Sequence, residues 1–254
     1  MHIKQLPTDL ANQIKAGEVI SRPCSALKEL IENALDAGST QLVIELESGG
    51  IDKMMVQDNG TGIHKDDLPL STIQYATSKI ADFNDLMALS SFGFRGEALS
   101  SIASVADISI DSKYAQSDHA WSFSHHQHDQ SKKLIPSALE QGTRITVSRL
   151  FHYVPARKKF LKTPRTEWSY CEALIKQVAM SHMHIAIKCY HDGKCIWDLA
   201  PCFDQEQKNN RMSRLLTGGF IDEALWLDFD SSNGLKLSGW IGLPSFSRAR
   251  ADQQ

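Results

Sequence analysis

The sequence lacks the features of a membrane, secreted or disulfide-stabilised protein. No apolar run approaches the ~18 residues that cross a bilayer, so no membrane span is expected. The start of the chain has neither a continuous apolar core nor a small-residue cleavage site, so a secretory signal is not expected. The five cysteines are an odd number without CxxC spacing, which favours reduced thiols in a cytoplasmic protein over disulfides or a zinc site.

Two common nucleotide-binding motifs are also missing. There is no GxxxxGK[ST] phosphate loop and no GxGxxG dinucleotide fingerprint. The formal net charge of −3 gives no overall preference for nucleic acid, although local charge can differ. With 254 residues, 42% hydrophobic and 22% charged, the chain has the composition of a soluble globular protein of one large or two ordinary domains.

The stretch from Ala26 to Gly38 predicts an amphipathic helix, because its apolar residues fall on one helical face and a glycine ends it. On the other face, Glu29, Asn33 and Asp36 form a polar ridge, with Glu32 beside it. A carboxylate one turn from an amide can position a water while the amide ligates a hard cation. A solvated helix face would show the same pattern.

A second informative stretch is DNGTGI, residues 58–63, which follows a predicted hairpin of strands near 41–47 and 54–57. Asp58 can accept a hydrogen bond from an exocyclic amine such as that of adenine. Gly60 and Gly62 allow a planar ring to approach the backbone. The alternative is an ordinary hairpin turn, since Asp-Asn-Gly is common in turns.

Two further stretches could contact a nucleotide. In residues 91–99, SFGFRGEAL, two glycines precede a helix whose free N–H groups could bind a triphosphate, and the segment 76–80 adds two hydroxyls and an ammonium. Thr143, which begins an alternating strand, could hydrogen-bond a base edge or a buried water. Each feature alone also fits an ordinary helix or strand start.

Together these stretches resemble the GHKL ATPases. ELIENALDAG, DNGTGI, GFRGEAL and the later Gly-Thr occur in the order and rough spacing of that superfamily, which holds gyrase B, the ninety-kilodalton heat-shock chaperones, histidine kinases and MutL mismatch-repair proteins. The segments LPTDLANQIKAGEVISRP, ATSKI and VPARKKFLK are similar to the MutL family in particular. The resemblance covers essentially the whole chain.

The resemblance implies an α+β fold: a Bergerat-type ATP-binding α/β sandwich, in which a mixed, mostly antiparallel sheet carries helices on one face. It implies an ATPase domain over residues 1–205 and an incomplete transducer-like domain over 206–254. The hydrophobic pattern agrees, with helices expected within 64–104 and over 167–184 and strands near 107–112, 121–124 and 143–149. A hairpin is expected to turn at Asp192-Gly193.

The resemblance also implies the roles of the site residues, with ATP and Mg²⁺ as the cofactors. Glu29 would be the general base, Asn33 the Mg²⁺ ligand and Asp58 the acceptor for the adenine amine, while Asp36 is expected to be structural. The implied nucleotide-binding residues are Asn33, Ala37, Asp58, Gly60, Gly62, Ile63, Thr77, Ser78, Lys79, Gly93, Phe94, Arg95, Gly96, Glu97, Ala98, Leu99 and Thr143.

A local excess of positive charge lies between Gln141 and Thr166, where seven arginines and lysines occur without an acidic residue. Such a surface could neutralise DNA phosphates, although a solvated loop would look the same. Because MutL proteins bind DNA with little sequence preference, the resemblance implies DNA contacts by Arg157, Lys158, Lys159, Lys162 and Arg165. The chain departs from the family at Tyr153, where an asparagine is usual.

The polar segment from Ser112 to Gln141 contains four histidines. A metal cluster is one interpretation. We favour a solvated loop, because no cysteine or acidic ligand stands at a suitable spacing. The four residues are His119, His125, His126 and His128.

The resemblance implies an ATP-binding and ATP-hydrolysing N-terminal part of a MutL-type mismatch-repair protein, cytoplasmic and nucleoid-associated. ATP would close a lid over about 75–95 and order the arm of residues 1–20 in an N-terminal homodimer. The implied partners are DNA, the mismatch-recognition protein MutS, and a downstream nuclease and helicase, with no membrane. Weak turnover is expected, because the family's transducer lysine lies beyond residue 254.

Two other functional classes are alternatives to this assignment. A different GHKL enzyme is disfavoured. A kinase would need a phosphoacceptor histidine region before the first motif, and none fits in the 25 residues there. A topoisomerase subunit would have a different sequence around VPARKKFLK. A DNA-binding or interaction fragment that keeps the fold and nucleotide binding but lacks turnover stays open.

Overall fold

A computed structural model of the chain describes residues 15–17, 19–76, 97–126, 133–216, 219–231, 234–244 and 246. In these ranges the largest element is an eight-stranded sheet in the order β5-β4-β3-β6-β2-β1-β7-β8. β1 and β7 are parallel and the other neighbouring strands are antiparallel. The strands are β1 Gln41–Glu47, β2 Lys53–Asp58, β3 Asp107–Lys113, β4 Ala120–His125, β5 Leu134–Ser137, β6 Gly142–Ser148, β7 Ala186–His191 and β8 Lys194–Leu199.

Five α-helices whose full extent lies within the described ranges, together with three short 3-10 turns, accompany the sheet. The helices are α1 Pro23–Asp36, α2 Ala98–Ala103, α3 Pro155–Lys158, α4 Pro164–Ser181 and α5 Gln205–Leu215, and the turns are Ser48–Gly50, Lys65–Asp67 and Ile221–Glu223. None of the helices in this part of the chain is long and apolar enough to cross a bilayer.

The predicted amphipathic helix is confirmed as α1. It begins before Ala26, because Pro23 has the fixed φ and the missing N–H that suit the first turn of a helix. Its inner face is fully buried and joins the same core as alternate residues of β1. Gly38, just after the helix, has a φ of +71°, the left-handed conformation that the sequence predicted.

Both predicted hairpins are confirmed, and one of them positions the candidate site. β1 and β2 are antiparallel with Leu42 opposite Asp58, so Asp58 is the last residue of its strand. β7 and β8 are joined at Asp192 and Gly193, whose φ angles are +47° and +75°. Positive φ at both central residues is what the type I′ turn of a two-residue hairpin requires.

One expectation about an irregular region needs correction. The segment predicted to be polar and solvated contains β5 in addition to the predicted strand near 121–124, which is β4. β5 was missed because it is a four-residue edge strand with a proline and gives no alternation signal. Within 64–104, the described residues form a 3-10 turn and the helix α2, so one helix of this region is confirmed. Residues 77–96 lie outside the described ranges.

The C-terminal part begins with α5 and continues as a hairpin of β9, Ala224–Asp230, and β10, Lys236–Gly242. The buried Arg211 ties α5 to the segment between α4 and β7 and to the residue after β8, because its Nη1 donates to the carbonyl oxygens of Met183, Ile185 and Ala200 at 3.1, 2.8 and 3.3 Å. The domain boundary at residue 205 therefore stays a prediction, placed at the start of a helix that contacts the larger sheet.

Candidate functional site

The candidate site lies where three elements meet: the end of β2, the start of β6 and the end of α1. The β2–β6 register pairs Gln57 with Arg144, which brings Thr143 beside Asp58. The backbone N–H of Thr61 donates to the carbonyl oxygen of Ala37 at 3.1 Å, which joins the loop after β2 to the end of α1. We call residues 58–63 the Asp58 loop.

The carboxyl group of Asp58 is buried, with 7% of the residue exposed. Its Oδ1 accepts hydrogen bonds from the backbone N–H groups of Gly60 at 2.8 Å and Thr143 at 3.3 Å. Burial raises the pKa of Asp58 to about 6, although both hydrogen bonds oppose this. Among the described residues both hydrogen bonds end on Oδ1, so Oδ2 is available to accept from a ligand donor.

Ser112 connects three parts of the site and was not predicted from the sequence. Its Oγ accepts from the backbone N–H of Ile63 at 2.8 Å, donates to the carbonyl oxygen of Gly142 at 3.1 Å, and lies 2.9 Å from Oγ1 of Thr143. The signal that could have found Ser112 is the β3–β6 register, which pairs it with Thr143. The pairing between two strands cannot be predicted from the sequence of either strand alone.

The glycines of the Asp58 loop are required by the protein's own backbone. A Cβ at Gly60 would stand 2.7 Å from the carbonyl oxygen of Ala37. A Cβ at Gly62, where φ is +71°, would stand 2.1 Å from the carbonyl oxygen of Lys113. The glycines were predicted because a planar ring could approach there. The structure adds that they let the loop lie against α1 and β3.

Asn59 fixes the loop from its other side and was not predicted from the sequence. Its Oδ1 accepts from the backbone N–H groups of Thr40 and Gln41, both at 2.9 Å, and its Nδ2 donates to Oγ1 of Thr40 at 2.9 Å. The loop is therefore anchored to the start of β1.

The predicted polar ridge lies on α1 and leads toward the Asp58 loop. Glu29 and Asn33 are half-buried, and Ala37, the predicted contact one turn later, is half-buried at the end of the helix. Asp36 is exposed. Glu32 forms an ion pair with Lys28, in which Oε1 of Glu32 lies 3.5 Å from Nζ of Lys28. The ridge thus presents a carboxylate and an amide, Glu29 and Asn33, on the helix that ends at the loop.

The predicted phosphate contacts are described only in part. Thr77, Ser78, Lys79, Gly93, Phe94, Arg95 and Gly96 lie outside the described residues. Ala98 and Leu99 are the first two residues of α2. Glu97 precedes them, and its Oε1 is 2.5 Å from Nζ of Lys15, which also donates to the hydroxyl of Tyr75 at 2.9 Å. The Glu97 carboxylate is therefore paired.

The predicted DNA contacts lie on and after α3, and we call residues 157–165 the basic segment. Lys158, Lys159, Lys162 and Arg165 are exposed. Arg157 is half-buried and lies against Gly17, where an added Cβ would stand 1.3 Å from its Cζ. The structure thus separates Arg157, which lies against Gly17, from four cations that face solvent.

Tyr153, the residue that departs from the family pattern, contacts a buried carboxylate. Its hydroxyl donates to Oδ1 of Asp107 at 3.2 Å. Arg149 pairs with the same carboxylate, and Nδ1 of His126 lies 3.3 Å from it. Asp107 is 2% exposed, so this network stabilises the start of the segment that leads to α3. His126 is exposed, as the prediction of a solvated segment requires, and the structure adds its contact with Asp107.

The other predicted histidines do not form a metal site in the part of the chain that the structure describes. His119 is exposed, His125 ends β4, and His128 lies outside the described residues. No group of three or more His, Cys, Asp or Glu side chains within the described ranges could hold a metal ion.

Comparisons with known proteins agree with this geometry. Residues 20–150 match the family described as histidine kinase-, DNA gyrase B-, and HSP90-like ATPase. The chain is 42% identical over 252 residues to the DNA mismatch repair protein MutL of Pseudomonas fluorescens (strain SBW25), covering 99% of the chain and 40% of that protein. It is 43% identical over the same length to MutL of Pseudomonas syringae pv. tomato, covering 39% of it. The chain thus spans about two fifths of these relatives.

Solved structures show the same fold. The N-terminal domain of a DNA repair protein superposes with a TM-score of 0.80 at 25% identity, covering 98% of this chain and 78% of that one. The Aquifex aeolicus MutL ATPase domain complexed with ADP superposes with a TM-score of 0.65 at 25% identity, covering 83% and 73%. These likenesses confirm the expected α+β class, with its mixed, mostly antiparallel sheet.

Proposed function

Because the chain belongs to the family of histidine kinase-, DNA gyrase B- and HSP90-like ATPases, we propose that it binds ATP at the Asp58 loop and hydrolyses it as the ATPase part of a MutL-type mismatch-repair protein. The observation that carries the proposal is the buried carboxylate of Asp58, which uses one oxygen for the loop and presents the other to a ligand. The similarity to MutL over 99% of the chain supports the assignment. The relative solved with ADP supports a nucleotide as the ligand.

Base recognition follows from the hydrogen-bonding capacity of the loop. An ionised carboxylate only accepts hydrogen bonds, so Oδ2 of Asp58 matches the exocyclic amine of adenine. Guanine in the same orientation would present a carbonyl oxygen, which the carboxylate repels. The hydroxyl of Thr143, held 2.9 Å from Ser112, is placed beside Asp58 to complete the base contact directly or through a water.

The polar ridge of α1 suits the phosphate end of the nucleotide. The Glu29 carboxylate would take the proton from the water that attacks the terminal phosphate. Asn33 offers an amide oxygen, a hard donor of the kind that Mg²⁺ prefers, and one protein ligand is enough when phosphates and waters complete the shell. When bound, Mg²⁺ would neutralise phosphate charge. Ala98 and Leu99 would contribute backbone N–H groups.

The wider activity is proposed by analogy with the relatives. The exposed cations of the basic segment would neutralise DNA phosphates without reading sequence. The proposal includes closure of a lid over about 75–95, supported by Lys15, which contacts Tyr75 and Glu97 at the two ends of that segment. An ATP-dependent N-terminal homodimer is proposed by the same analogy. It also includes cooperation with MutS and with a downstream nuclease and helicase.

The test compares two carboxylates of α1 in assays of ATP binding and turnover with Mg²⁺. Glu29→Gln keeps the size of the side chain but removes the base, so we expect ATP to bind and turnover to fall about 100-fold or more. Glu32→Gln is the matched control, because Glu32 pairs with Lys28, and it should leave both unchanged. Failure of the folded chain to bind ATP would overturn the proposal.

The same assay separates the second candidate function, a DNA-binding fragment that binds nucleotide without hydrolysing it. The exposed basic segment is the observation that favours this alternative. It predicts that the unmodified chain binds ATP but releases no phosphate above the level of Glu29→Gln. Measurable turnover that depends on Glu29 would exclude it.

A further inference from the structure

We propose that Cys24 and Cys171 form a reversible oxidation site, at which hydrogen peroxide converts the two thiols into a disulfide between α1 and α4. The proposal concerns residues that the ATPase assignment does not use. It stands or falls independently of nucleotide binding.

The two cysteines lie on helices that pack against each other. Cys24 is in the first turn of α1 and is half-buried, whereas Cys171 is in α4 and fully buried. Sγ of Cys24 donates to the carbonyl oxygen of Tyr170 at 3.4 Å, so its sulfur reaches the residue next to Cys171. Sγ of Cys171 donates to the carbonyl oxygen of Gly49 at 3.7 Å.

The surroundings divide the roles of the two sulfurs. The interaction with the neighbouring Cys171 side chain, followed by the charges of Arg22 and Lys28, lowers the pKa of Cys24, although burial and the charge of Glu167 oppose this. The contact with Cys24, followed by burial, raises the pKa of Cys171 well above its usual range. Because the thiolate is the nucleophilic form, Cys24 attacks first and Cys171 stays protonated as the second thiol.

The reaction balances with peroxide as the oxidant. The Cys24 thiolate attacks one peroxide oxygen, the O–O bond breaks, and the sulfur becomes a sulfenic acid while the other oxygen leaves as hydroxide and is protonated to water. The sulfur of Cys171 then displaces the sulfenic hydroxyl, which leaves as water with the Cys171 proton, and the S–S bond forms. A dithiol reductant reverses the step by thiol–disulfide exchange.

The disulfide would tie the start of α1 to α4 across a long stretch of chain. Such a cross-link restricts the unfolded state, so the oxidised protein should have a higher Tm than the reduced protein. The other cysteines offer internal comparisons, since Cys195 is exposed while Cys189 and Cys202 are buried.

The experiment treats the reduced chain with hydrogen peroxide, blocks free thiols and identifies cross-linked peptides by mass spectrometry. We expect one pair, containing Cys24 and Cys171, lighter by two hydrogen atoms than the separate peptides, and its loss after dithiothreitol. Cys24→Ser should abolish the cross-link, as should Cys171→Ser, and the control Cys195→Ser should not. The absence of this pair, or a cross-link of Cys171 to Cys189 in its place, would overturn the proposal.

Discussion

The Asp58 loop and the basic segment are both assigned to ligand binding, but they are built in opposite ways. The loop is fixed to α1, β1, β3 and β6 by backbone contacts and by Asn59 and Ser112. In the basic segment four cations project into solvent. Because these contacts fix the loop and leave one carboxylate oxygen for a ligand, a single substitution should disable it. Changes in the basic segment should instead act in small, salt-dependent steps.

The largest effect should come from Gly62→Ala. The new Cβ would stand 2.1 Å from the carbonyl oxygen of Lys113, and φ is +71°, so both the backbone of β3 and the loop must move. We expect the free energy of unfolding to fall by about 3 kcal/mol or more, measured by urea denaturation.

Gly193→Ala is the matched control for that prediction. Gly193 has a similar φ of +75°, but no atom lies within 4 Å of the added Cβ. Its cost should be about 1 kcal/mol, from the backbone conformation alone. Equal losses for the two variants would mean that φ, and not the close approach to β3, requires a glycine at residue 62.

The next effect tests the single free acceptor. Asp58→Asn can keep an oxygen facing the N–H groups of Gly60 and Thr143, but it places an amine where Oδ2 would meet the ligand. We expect ATP affinity to fall about 100-fold, or roughly 2.7 kcal/mol, in calorimetric titrations. The Tm should not fall, because the substitution removes a buried charge. Retention of full ATP affinity would place base recognition elsewhere.

A smaller effect should appear with pH. Burial raises the pKa of Asp58 from 3.8 to about 6, so the folded state holds a proton on this group between those values more readily than the unfolded state does. The contribution of Asp58 to stability therefore improves as pH falls from about 6 toward 4, by about 2–3 kcal/mol in the limit.

ATP affinity should fall as the pH falls, because protonation of Asp58 removes the charged acceptor. Denaturation and ATP titrations at pH 5 and pH 7 measure both changes. Asp58→Asn should lose both dependences. If the difference in stability between this variant and the unmodified chain does not vary with pH, Asp58 is not the titrating group.

Sequence patterns predicted the parts of the site that a single strand or helix carries. The apolar spacing of α1 and the turn residues at Asp192 and Gly193 specify local structure, so these were found. Ser112 and Asn59 were missed because their contacts cross from one element to another and depend on strand register. β5 was missed because four residues are too few to show alternation. The burial of Asp107 with Tyr153 likewise appears only in three dimensions.

The smallest effect should come from the basic segment. Lys159→Ala removes one exposed cation, so DNA affinity should fall only a few-fold, by about 0.5–1 kcal/mol, equally for different sequences. The dependence of log affinity on log salt concentration should lose about one unit of slope, because one fewer counterion is released. Lys194→Ala, which removes an exposed lysine at the start of β8, is the control and should change neither quantity.

A loss of DNA affinity for Lys159→Ala as large as the loss of ATP affinity for Asp58→Asn would show that Lys159 makes a specific contact, and the contrast between the two regions would then fail. Equal, small effects of Lys159→Ala and Lys194→Ala would place the DNA surface outside the basic segment.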